Sequence, residues 1–508
     1  MRLIPRTMAT QHPDNANVPS WASGEVMGEE DEVKEAYLSF AAGIQEVMWD
    51  AEGKDVDFHV VRKLLSGYPG FFEDHVLGRD VFLTYRIPNP RLESADRKVF
   101  AEILESIPLA SDVASAFYGA EVNPVFEVIL PFTKSSTELL DVVSYYERVV
   151  AAKEDVRLAG GSTVRDLVGE FRPKRLEVIP LLEDLESLFG ASAILEEYYR
   201  ALRPSYVRVF LARSDPAMLH GMVAAVLAVK VALSEVHTLF SRYDLPVFPI
   251  LGVGSLPFRG GLSPRRRDLV MREYGGVSTF TLQSAFRYDY PEWEVREAVA
   301  AMNSARAAPP RELEQEEKER ARALAAKCES KYAERLRAIA GAVNAVASML
   351  PRRRARKMHV GTFGYSREAA GVALPRAIAF TGALYSIGVP PEILGAECLE
   401  ELGESDLRLL EELYLNLRED LEEASQFYDE ENLEEAGRVF RVPEDAARAI
   451  RRDAAAVERF LGKGVGPRGL RARKHSMLIR LFLLSFLEDS GEAGRYLLEA
   501  ARVRMSIG

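Results

Sequence analysis

The chain contains very little cysteine: Cys328 and Cys398 are the only two among its 508 residues. Two cysteines in helical-looking sequence exclude a disulfide-rich secreted scaffold and fit a reducing cytoplasm. Histidine is also scarce, with seven residues, and none belongs to a two-histidine helical motif or to a Cys/His set with zinc spacing. We therefore expect neither a disulfide framework nor a zinc site.

Long uncharged apolar runs are lacking too. The longest apolar segments, around residues 222–233 and 477–486, are interrupted by Lys230 and Arg480. They are too short and too charged to predict a membrane span. The first 15 residues lack the apolar stretch of a signal peptide. These absences predict a cytoplasmic protein with no membrane partner.

An excess of basic charge is the third absence, because the formal net charge is −12 at pH 7. Nucleic acids and anionic membranes both select for a basic face, so neither is expected as the main partner. Short basic runs at 265–267, 352–357 and 471–475 lie beside acidic helices, which favours a solvated or salt-bridged surface. A small anionic substrate is still compatible with this negative net charge, since its binding site needs only a local cluster of arginines.

Strand-like apolar runs are what the sequence has in abundance. They are rich in Val, Ile, Phe and Leu without clean alternation, which is typical of strands buried on both faces of a parallel sheet. Amphipathic segments separate them, and this alternation predicts a (β/α)8 TIM-type barrel, with an eighth strand hidden or in a short segment before Val113. The runs are VFLTYR (81–86), VFEVILP (125–131), EVIPLLED (177–184), VRVFLARSD (207–215), VFPILGVGS (247–255), STFTLQSAFR (278–287) and MHVGTFGYSR (358–367).

The predicted organisation is a single catalytic unit over residues 1–508, with a barrel core at about 80–376. Residues 1–30 are predicted to be irregular, and 31–65 to be helical. From about 377 to 508 the strand signal is lost, and we expect helices packed on the barrel. No Pro/Gly/Ser-rich linker, repeat or low-complexity tract divides the chain.

Several strand-like runs end in a residue suited to metal or phosphate chemistry. Glu183 and Asp215 follow consecutive runs, and residues just past the strand ends of a parallel barrel converge on one mouth. Two carboxylates there would suit Mg²⁺, which keeps positions open for water or substrate phosphate. Each could instead cap the helix that follows its strand. We expect supporting or structural roles for Arg213, as a partner of Asp215, and for Lys134 and Arg287.

Arginines accompany these acids. Arg259 lies in PFRGGLSP, where glycines allow an anion to approach the backbone and the guanidinium fork suits phosphate or carboxylate. The alternative is a turn with a solvated arginine. Arg86, Arg367 and Arg376 end or follow apolar runs, where arginine is rare without an anion or a carboxylate partner.

The motifs that contain these residues resemble those of the phosphoenolpyruvate carboxylases, specifically the short archaeal-type branch. The opening MATQHPDNA resembles that branch's signature and the TAHPT segment of the longer bacterial and plant enzymes. IPLLEDLESL and LARSDPAMLHG resemble their metal-ligand segments, and SLPFRGGLSP resembles the second half of FHGRGGxxGRGGxP. YSR, LPRAIAF and LTYR resemble the SRP, LRAIPW and LDxR segments. The resemblance to the archaeal-type branch covers essentially the whole chain.

The resemblance implies carboxylation of phosphoenolpyruvate by bicarbonate to oxaloacetate and phosphate, through carboxyphosphate and an enolate. Mg²⁺, or Mn²⁺ in its place, would be required, biotin would not, and a homotetramer is implied. His12 would otherwise be a surface residue of an unstructured segment, but the resemblance implies that this segment closes over the barrel mouth as a lid. The implied metal ligands are Glu183 and Asp215, the catalytic residues His12 and Arg259, and the substrate-binding residues Arg86, Arg367 and Arg376.

The sequence also departs from the long-enzyme motifs. The lysine of SDxxK is Met218, and the first histidine and arginine of FHGRGG fall on Leu251 and Val253. An alternative enzyme is a barrel lyase or aldolase acting on another enolpyruvyl or 2-oxo acid. An alternative from another class is a non-catalytic anion-binding or scaffold protein, which would tolerate loss of Asp215 or Arg259.

Overall fold

A closed barrel of eight parallel strands forms the centre of the molecule. The computed structural model describes residues 3–51, 57–93, 97–355, 367–369 (backbone only), 371–488 and 490–508. Each barrel strand pairs with its sequence neighbours, and the eighth pairs with the first. The predicted (β/α)8 fold is therefore confirmed. The strands are β1 (Thr7–Ala9), β2 (Glu46–Asp50), β3 (Phe82–Arg86), β4 (Glu127–Leu130), β5 (Glu177–Leu182), β6 (Val207–Ala212), β7 (Val247–Gly252) and β8 (Thr279–Leu282).

Six of the seven strand-like runs contain barrel strands, but the run at 358–367 does not supply one. It lies outside the described residues except at Arg367, whose backbone begins β9 (Arg367–Ala369). That strand pairs antiparallel with β10 (Val372–Leu374) in a separate two-stranded sheet. The barrel strands thus extend from residue 7 to residue 282, so the barrel starts and ends earlier than the predicted core at 80–376.

The two missed barrel strands lie in the N-terminal region that was predicted to be irregular and then helical. β1 has only three residues, too few for a periodic pattern. β2 reads EVMWD, and its acidic ends argue against a buried strand by composition. Both acids nevertheless point into the barrel region, because Glu46 pairs with Arg208 and Asp50 pairs with Arg86. These distant partners explain why local sequence did not indicate the strand.

Helices surround the barrel and form the region after residue 376, as predicted. Short π and 3₁₀ segments occur at Tyr146–Val150, Ala151–Asp155, Pro257–Arg259, Pro391–Ile393 and Ala396–Glu401. The first helices are α1 (Glu29–Ala41), α2 (Val60–Gly67), α3 (Pro69–Asp74), α4 (Arg97–Tyr118), α5 (Ser136–Tyr145), α6 (Val164–Val168), α7 (Leu185–Phe189), α8 (Ala191–Leu202), α9 (Ser214–His220), α10 (Met222–Arg242), α11 (Arg267–Glu273), α12 (Ser284–Tyr288), α13 (Glu292–Ser304) and α14 (Gln315–Ala347). The C-terminal helices are α15 (Ala377–Tyr385), α16 (Glu404–Leu413), α17 (Leu417–Ser425), α18 (Glu430–Phe440), α19 (Glu444–Leu461), α20 (Gly469–Leu487) and α21 (Ala493–Arg504).

Helix α10 is more apolar than the sequence analysis allowed. Within the described ranges it is the one helix whose length and composition would permit it to cross a membrane. Of its most apolar window, 72% is buried inside the protein. It packs against α7, α8 and α14, a placement that the core helix of a globular protein also shows.

The barrel interior is layered, because every second residue of a strand points inward. At its floor, Arg208 of β6 donates to Glu46 of β2, at 2.7 and 2.9 Å, and to Glu127 of β4, at 2.7 Å. Thr279 of β8 also accepts from Arg208. All four residues are buried. An apolar layer formed by Met8, Met48, Ile129, Ile179, Leu181, Phe210, Ala212 and Ile250 lies within the same barrel.

A disulfide joins Cys328 of α14 to Cys398 in the 3₁₀ segment Ala396–Glu401. The prediction was only that a disulfide framework is lacking, and the described part of the chain contains this single bridge. The two residues are 70 positions apart, and only the packing of α14 on the C-terminal helical region brings them together. Disulfides inside cells are rare in mesophiles but common in proteins of hyperthermophilic archaea and bacteria.

We expect Arg208→Met to destabilise the fold by about 3–5 kcal/mol, because it leaves Glu46 and Glu127 as uncompensated buried charges. Denaturant unfolding of variant and wild type measures the difference. The matched control is Arg408→Met, which removes an exposed pair with Glu404 and should change stability by about 1 kcal/mol at most. Equal unfolding midpoints for Arg208→Met and wild type would contradict a stabilising role for the floor.

Candidate functional site

A cavity of about 940 Å³ lies where the carboxyl ends of the barrel strands meet. Its wall includes residues that directly follow strands in sequence, as expected for the mouth of a parallel barrel. Six of the seven predicted site residues line it, and the side chain of the seventh, Arg367, is outside the described part of the chain. The six are His12, Arg86, Glu183, Asp215, Arg259 and Arg376.

Glu183 follows β5 directly, and its side chain is buried. It accepts a hydrogen bond from the backbone N–H of Phe132, with an N–O distance of 3.0 Å. Phe132 has φ 51, an uncommon value for a residue with a side chain, so the chain after β4 adopts a strained turn that aims this N–H at the carboxylate. The helix-capping alternative does not apply, because Asp184 caps α7 by accepting from Ser187.

Asp215 lies in the first turn of α9, after β6, and is half-buried. No side chain caps α9, so the capping alternative does not explain this residue either. Strands β5 and β6 are hydrogen-bonded neighbours, which brings the two carboxylates to adjacent positions at the mouth. The hydroxyl of Ser214, a residue missed in the sequence analysis, also lines the cavity.

The donor set fits a hard divalent cation with few protein ligands. Among the residues that the structure describes, no group of three or more His, Cys, Asp or Glu side chains is arranged to hold a metal ion. A pair of carboxylates beside an alcohol oxygen suits a cation such as Mg²⁺, which retains water or takes substrate oxygens at its other positions. Glu183, Asp215 and Ser214 could hold such an ion.

Arg259 is a tightly held cation of the site, with 2% of its surface exposed. It donates to the carboxylate of Asp14 at 3.1 Å, to the side chain of Gln283 and to the carbonyl of Gly508. Its Nε–H is buried and has no hydrogen-bond partner in the described ranges. Burial lowers the pKa of the Arg259 guanidinium, while nearby Asp14 and Asp215 oppose that shift. A buried cation held in this way is oriented for an anion.

The glycines around Arg259 serve a different purpose from the predicted one. The N–H groups of Gly260 and Gly261 donate to carbonyls of their own loop, Pro257 and Leu256, rather than pointing at an anion. Gly260 has φ 112, and a Cβ there would lie 2.4 Å from Val253. The loop needs glycine because backbone conformation and close packing exclude a side chain.

Arg213 supports this loop. Its side chain is buried and donates to the carbonyl of Phe258 and to the hydroxyl of Tyr274, both at 3.1 Å. The predicted supporting role is consistent with these contacts, but they fix the residue that precedes Arg259 rather than Asp215. Lys134 is paired with Asp184, next to Glu183, and so also contacts the periphery of the carboxylate pair.

His12 does not lie in a flexible lid. It follows β1, whose backbone pairs with β2 and β8, and the residues before it are buried. The predicted lid is therefore wrong, and His12 reaches the mouth as a strand-end residue like the others. Its Nδ1 lies 2.9 Å from the hydroxyl of Thr10. Arg287 donates to the carbonyl of Thr10 at 2.7 Å and pairs with Glu35, which anchors this strand end.

Arg86 lines the cavity, but a carboxylate already accepts two of its N–H groups. Its Nε and Nη2 donate to Asp50 at 2.8 and 2.7 Å, and both side chains are buried. Asp50 lies at the end of β2 and its own N–H donates to Gln11. The sequence analysis missed Asp50 because β2 was not predicted. If β2 had been predicted, the position of Asp50 at its end would have indicated a site residue.

Two other arginines line the cavity, and their side chains make no hydrogen bond or ion pair inside the described ranges: Arg376 and Arg352. Arg376 precedes α15, and Arg352 belongs to the basic run that was interpreted as a solvated or salt-bridged surface. Its neighbours Arg353 and Arg354 are buried and bonded to backbone carbonyls and to Glu35, respectively. Only the fold shows that, of the three arginines of this run that the structure describes, Arg352 is the one whose side chain is left for an anionic ligand.

Two buried aspartates fix the segment that follows His12. Asp14 accepts from Arg259 and from the N–H of Ala285 at 2.7 Å, and burial raises its pKa despite the opposing charge of Arg259. Asp289 accepts from the N–H groups of Ala16 and Asn17, both at 2.7 Å. Burial raises the pKa of Asp289 to about 7.

The raised pKa of Asp289 predicts a pH dependence of stability. Because its folded pKa exceeds the unfolded value of about 3.9, the folded chain binds the extra proton between those pH values and loses stability as pH rises through them. Asp289→Asn lacks this titration, so its melting temperature relative to wild type should rise from about pH 4 to about pH 7. Thermal unfolding across this range tests it, with exposed Asp445→Asn as the control for loss of a carboxylate. A constant difference between Asp289→Asn and wild type would contradict the assignment.

Comparisons with known proteins show the family to which the chain belongs. The sequence profile described as phosphoenolpyruvate carboxylase matches residues 4–508. The chain is 51% identical over 510 residues to the phosphoenolpyruvate carboxylase of Metallosphaera sedula and 48% identical over 513 residues to that of Caldivirga maquilingensis, with all of each chain covered. A solved citrate synthase aligns with 59% of this chain and 91% of its own at 10% identity and a TM-score of 0.30, too low to carry an argument. The profile and the relatives confirm the predicted resemblance: the chain belongs to the phosphoenolpyruvate carboxylase family.

Proposed function

We propose that the chain catalyses the carboxylation of phosphoenolpyruvate by bicarbonate, giving oxaloacetate and phosphate. The observation that carries the proposal is the meeting of His12, Glu183, Asp215 and Arg259 in one cavity, from four different strand ends. Family membership and the names of relatives that match over their full length support it. Carboxylates for a cation and arginines for anions are the groups that this chemistry needs.

A divalent cation, Mg²⁺ or Mn²⁺, would be held by Glu183 and Asp215. When bound, it would supply electrostatic stabilisation to the phosphate and to the developing enolate oxygen. No biotin is part of the proposal, because bicarbonate is activated by phosphate transfer. Glu183 is oriented for this role by the N–H of Phe132, which holds one of its oxygens in place.

In the first step, a bicarbonate oxygen attacks the phosphorus of phosphoenolpyruvate, and the bond from phosphorus to the enol oxygen breaks. Carboxyphosphate and the enolate of pyruvate result. Arg352 and Arg376 would bind the phosphate and carboxylate of the substrate, because both line the cavity without a partner in the described chain. Arg86 would contribute from its fixed position beside Asp50, and Arg367 would contribute as the family motif implies.

In the second step, carboxyphosphate breaks down to CO₂ and phosphate. His12 would accept the proton of the carboxyl group. The hydroxyl of Thr10, 2.9 Å from its Nδ1, helps to hold the ring in place. Arg259 would keep phosphate and CO₂ beside the enolate. Its guanidinium is fixed by Asp14 and Gln283, so it is pre-oriented before the substrate binds.

In the last step, the enolate carbon attacks CO₂ to form oxaloacetate. Water is the competitor, since protonation of the same carbon would give pyruvate. Met48, Leu181 and Phe210 form an apolar part of the cavity wall. A wall of this kind limits the access of water to the enolate.

The proposal extends to the cellular setting. A cytoplasmic enzyme acting on phosphoenolpyruvate and bicarbonate needs neither nucleic acid nor a membrane, and the net charge of −12 favours neither. A homotetramer, as the family resemblance implies, is also part of the proposal.

The principal test is oxaloacetate formation from phosphoenolpyruvate, followed with malate dehydrogenase and NADH. We expect turnover to require bicarbonate and a divalent cation, whereas a lyase or aldolase acting on another 2-oxo acid would need no bicarbonate. Asp215→Asn and Glu183→Gln should lower kcat by at least about 100-fold and weaken Mn²⁺ binding measured by electron paramagnetic resonance. The matched control is Asp184→Asn, because Asp184 lies beside Glu183 but caps α7. This variant should retain the wild-type kcat and Mn²⁺ affinity. Normal Mn²⁺ affinity in both carboxylate variants would refute the metal site.

Arg352 and Arg376, whose side chains have no partner in the described chain, give a separate prediction for substrate affinity. Arg352→Met and Arg376→Met should each raise KM for phosphoenolpyruvate by about tenfold or more, since a charge-assisted hydrogen bond contributes about 1.5–3 kcal/mol. Steady-state kinetics at saturating bicarbonate measures the change. Arg448→Met removes an exposed arginine of α19 and should leave KM unchanged. If Arg352→Met behaves like this control, the side chain of Arg352 does not bind the substrate.

A further inference from the structure

Helix α20 has an unusual concentration of exposed apolar side chains. Leu470 is 88% exposed, Met477 68% and Leu487 57%, and Leu481, Leu484 and Phe486 are also exposed. Single exposed apolar residues are ordinary, but a contiguous group of this kind marks an interaction surface. The surface lies outside the cavity, whose wall includes no residue of α20.

Four of these six exposed residues form a seam along the helix. Leu470, Met477, Leu481 and Leu484 are spaced by seven, four and three residues, which places them on one face. The opposite face, including Ala472, Ile479, Phe482 and Leu483, is buried against α18 and α21. One side of α20 therefore belongs to the core, while the seam has no partner in the described part of this chain. We call the seam, together with Lys474 and Glu488, the α20 face.

The charges of the α20 face are arranged symmetrically about Leu481. Lys474 lies seven residues before it and Glu488 seven residues after it, so each is about 10 Å away along the helix. Both are exposed, and neither has an ion pair within the described ranges. The two ends of the face therefore carry opposite charges at equal distances from a central leucine.

We propose that the α20 face binds the α20 face of a second copy of this chain, across a two-fold axis near Leu481, with the two helices antiparallel. In that arrangement Leu481 meets its own copy. Lys474 of each chain faces Glu488 of the other, so the contact contains two ion pairs and each of these charges is paired once. A two-fold contact requires a surface that is complementary to itself, and this charge pattern provides it.

Other occupants fit less well. An anionic membrane would select a basic rim, and α20 does carry Arg471, Arg473, Lys474 and Arg480. Arg480 is paired with Glu431 and Arg471 donates to the carbonyl of Val503, however, and the acidic Glu488 lies on the α20 face itself. A contact between two identical copies needs opposite charges at equal distances from the residue on the two-fold axis, whereas a contact with a different protein has no such requirement. The inference does not depend on the proposed catalytic function, and it assigns a surface to self-association without using any site residue.

Cross-linking tests the geometry directly. In the described chain both native cysteines are joined to each other, so Leu481→Cys introduces a single free thiol. Mild oxidation of the full-length variant should give a covalent dimer, because the two-fold axis brings this thiol against its copy. Leu167→Cys, on the exposed residue of α6, is the control and should remain uncross-linked. Equal cross-linking of the two variants would overturn the proposal.

Charge reversal supplies the second test, with molar mass measured by light scattering over a concentration series. Lys474→Glu and Glu488→Lys should each weaken association by about tenfold or more, and the double reversal should restore it. The double variant Met477→Glu/Leu481→Glu should lose the contact between α20 faces, so its molar mass should be lower than that of the wild type. Circular dichroism confirms that each variant is folded. A double reversal no tighter than the single variants, or an unchanged mass for Met477→Glu/Leu481→Glu, would refute the antiparallel contact.

Discussion

The ion pair between Asp14 and Arg259 holds the mouth of the barrel together. Both side chains are almost completely buried, and a buried charge is tolerated only when it is paired and hydrogen-bonded. Asp14 also accepts a hydrogen bond from the N–H of Ala285, while Arg259 donates to Gln283 and Gly508. Segments from the start, the middle and the end of the chain therefore depend on one contact. His12 is two residues from Asp14, so the pair that orients the central cation also positions the nearest candidate base.

Below this contact, every second residue of a strand points into the barrel. One strand therefore contributes in turn to the ionic floor, to the apolar layer and to the mouth. In β2, Glu46 belongs to the ionic floor, Met48 to the apolar layer and Asp50 to the mouth. Strand β6 repeats this order with Arg208, Phe210 and the turn that contains Asp215. A shift of one residue in register would turn all of these side chains to the outside. Stability and chemistry are therefore set by the same alignment of strands.

Much of this architecture could be predicted from local sequence, and the exceptions share a physical cause. Six strand-like runs and the positions of Glu183, Asp215 and Arg259 were correct, because apolar runs and strand ends are local signals. Strand β2 was missed because its acids are compensated by partners far along the chain: Glu46 and Arg208 are 162 residues apart. The available charge of Arg352 is likewise visible only after Arg353 and Arg354 have found their partners in the fold.

The disulfide between Cys328 and Cys398 closes a covalent ring that contains both Arg352 and Arg376. A single backbone cleavage anywhere between the two cysteines would open this ring without separating the chain into two molecules. The part that includes the barrel strands and the part that includes helices α16 to α21 would remain tethered until the disulfide was reduced. Arg352 and Arg376 thus lie in a segment whose ends are joined by a covalent bond, independently of the packing that surrounds them.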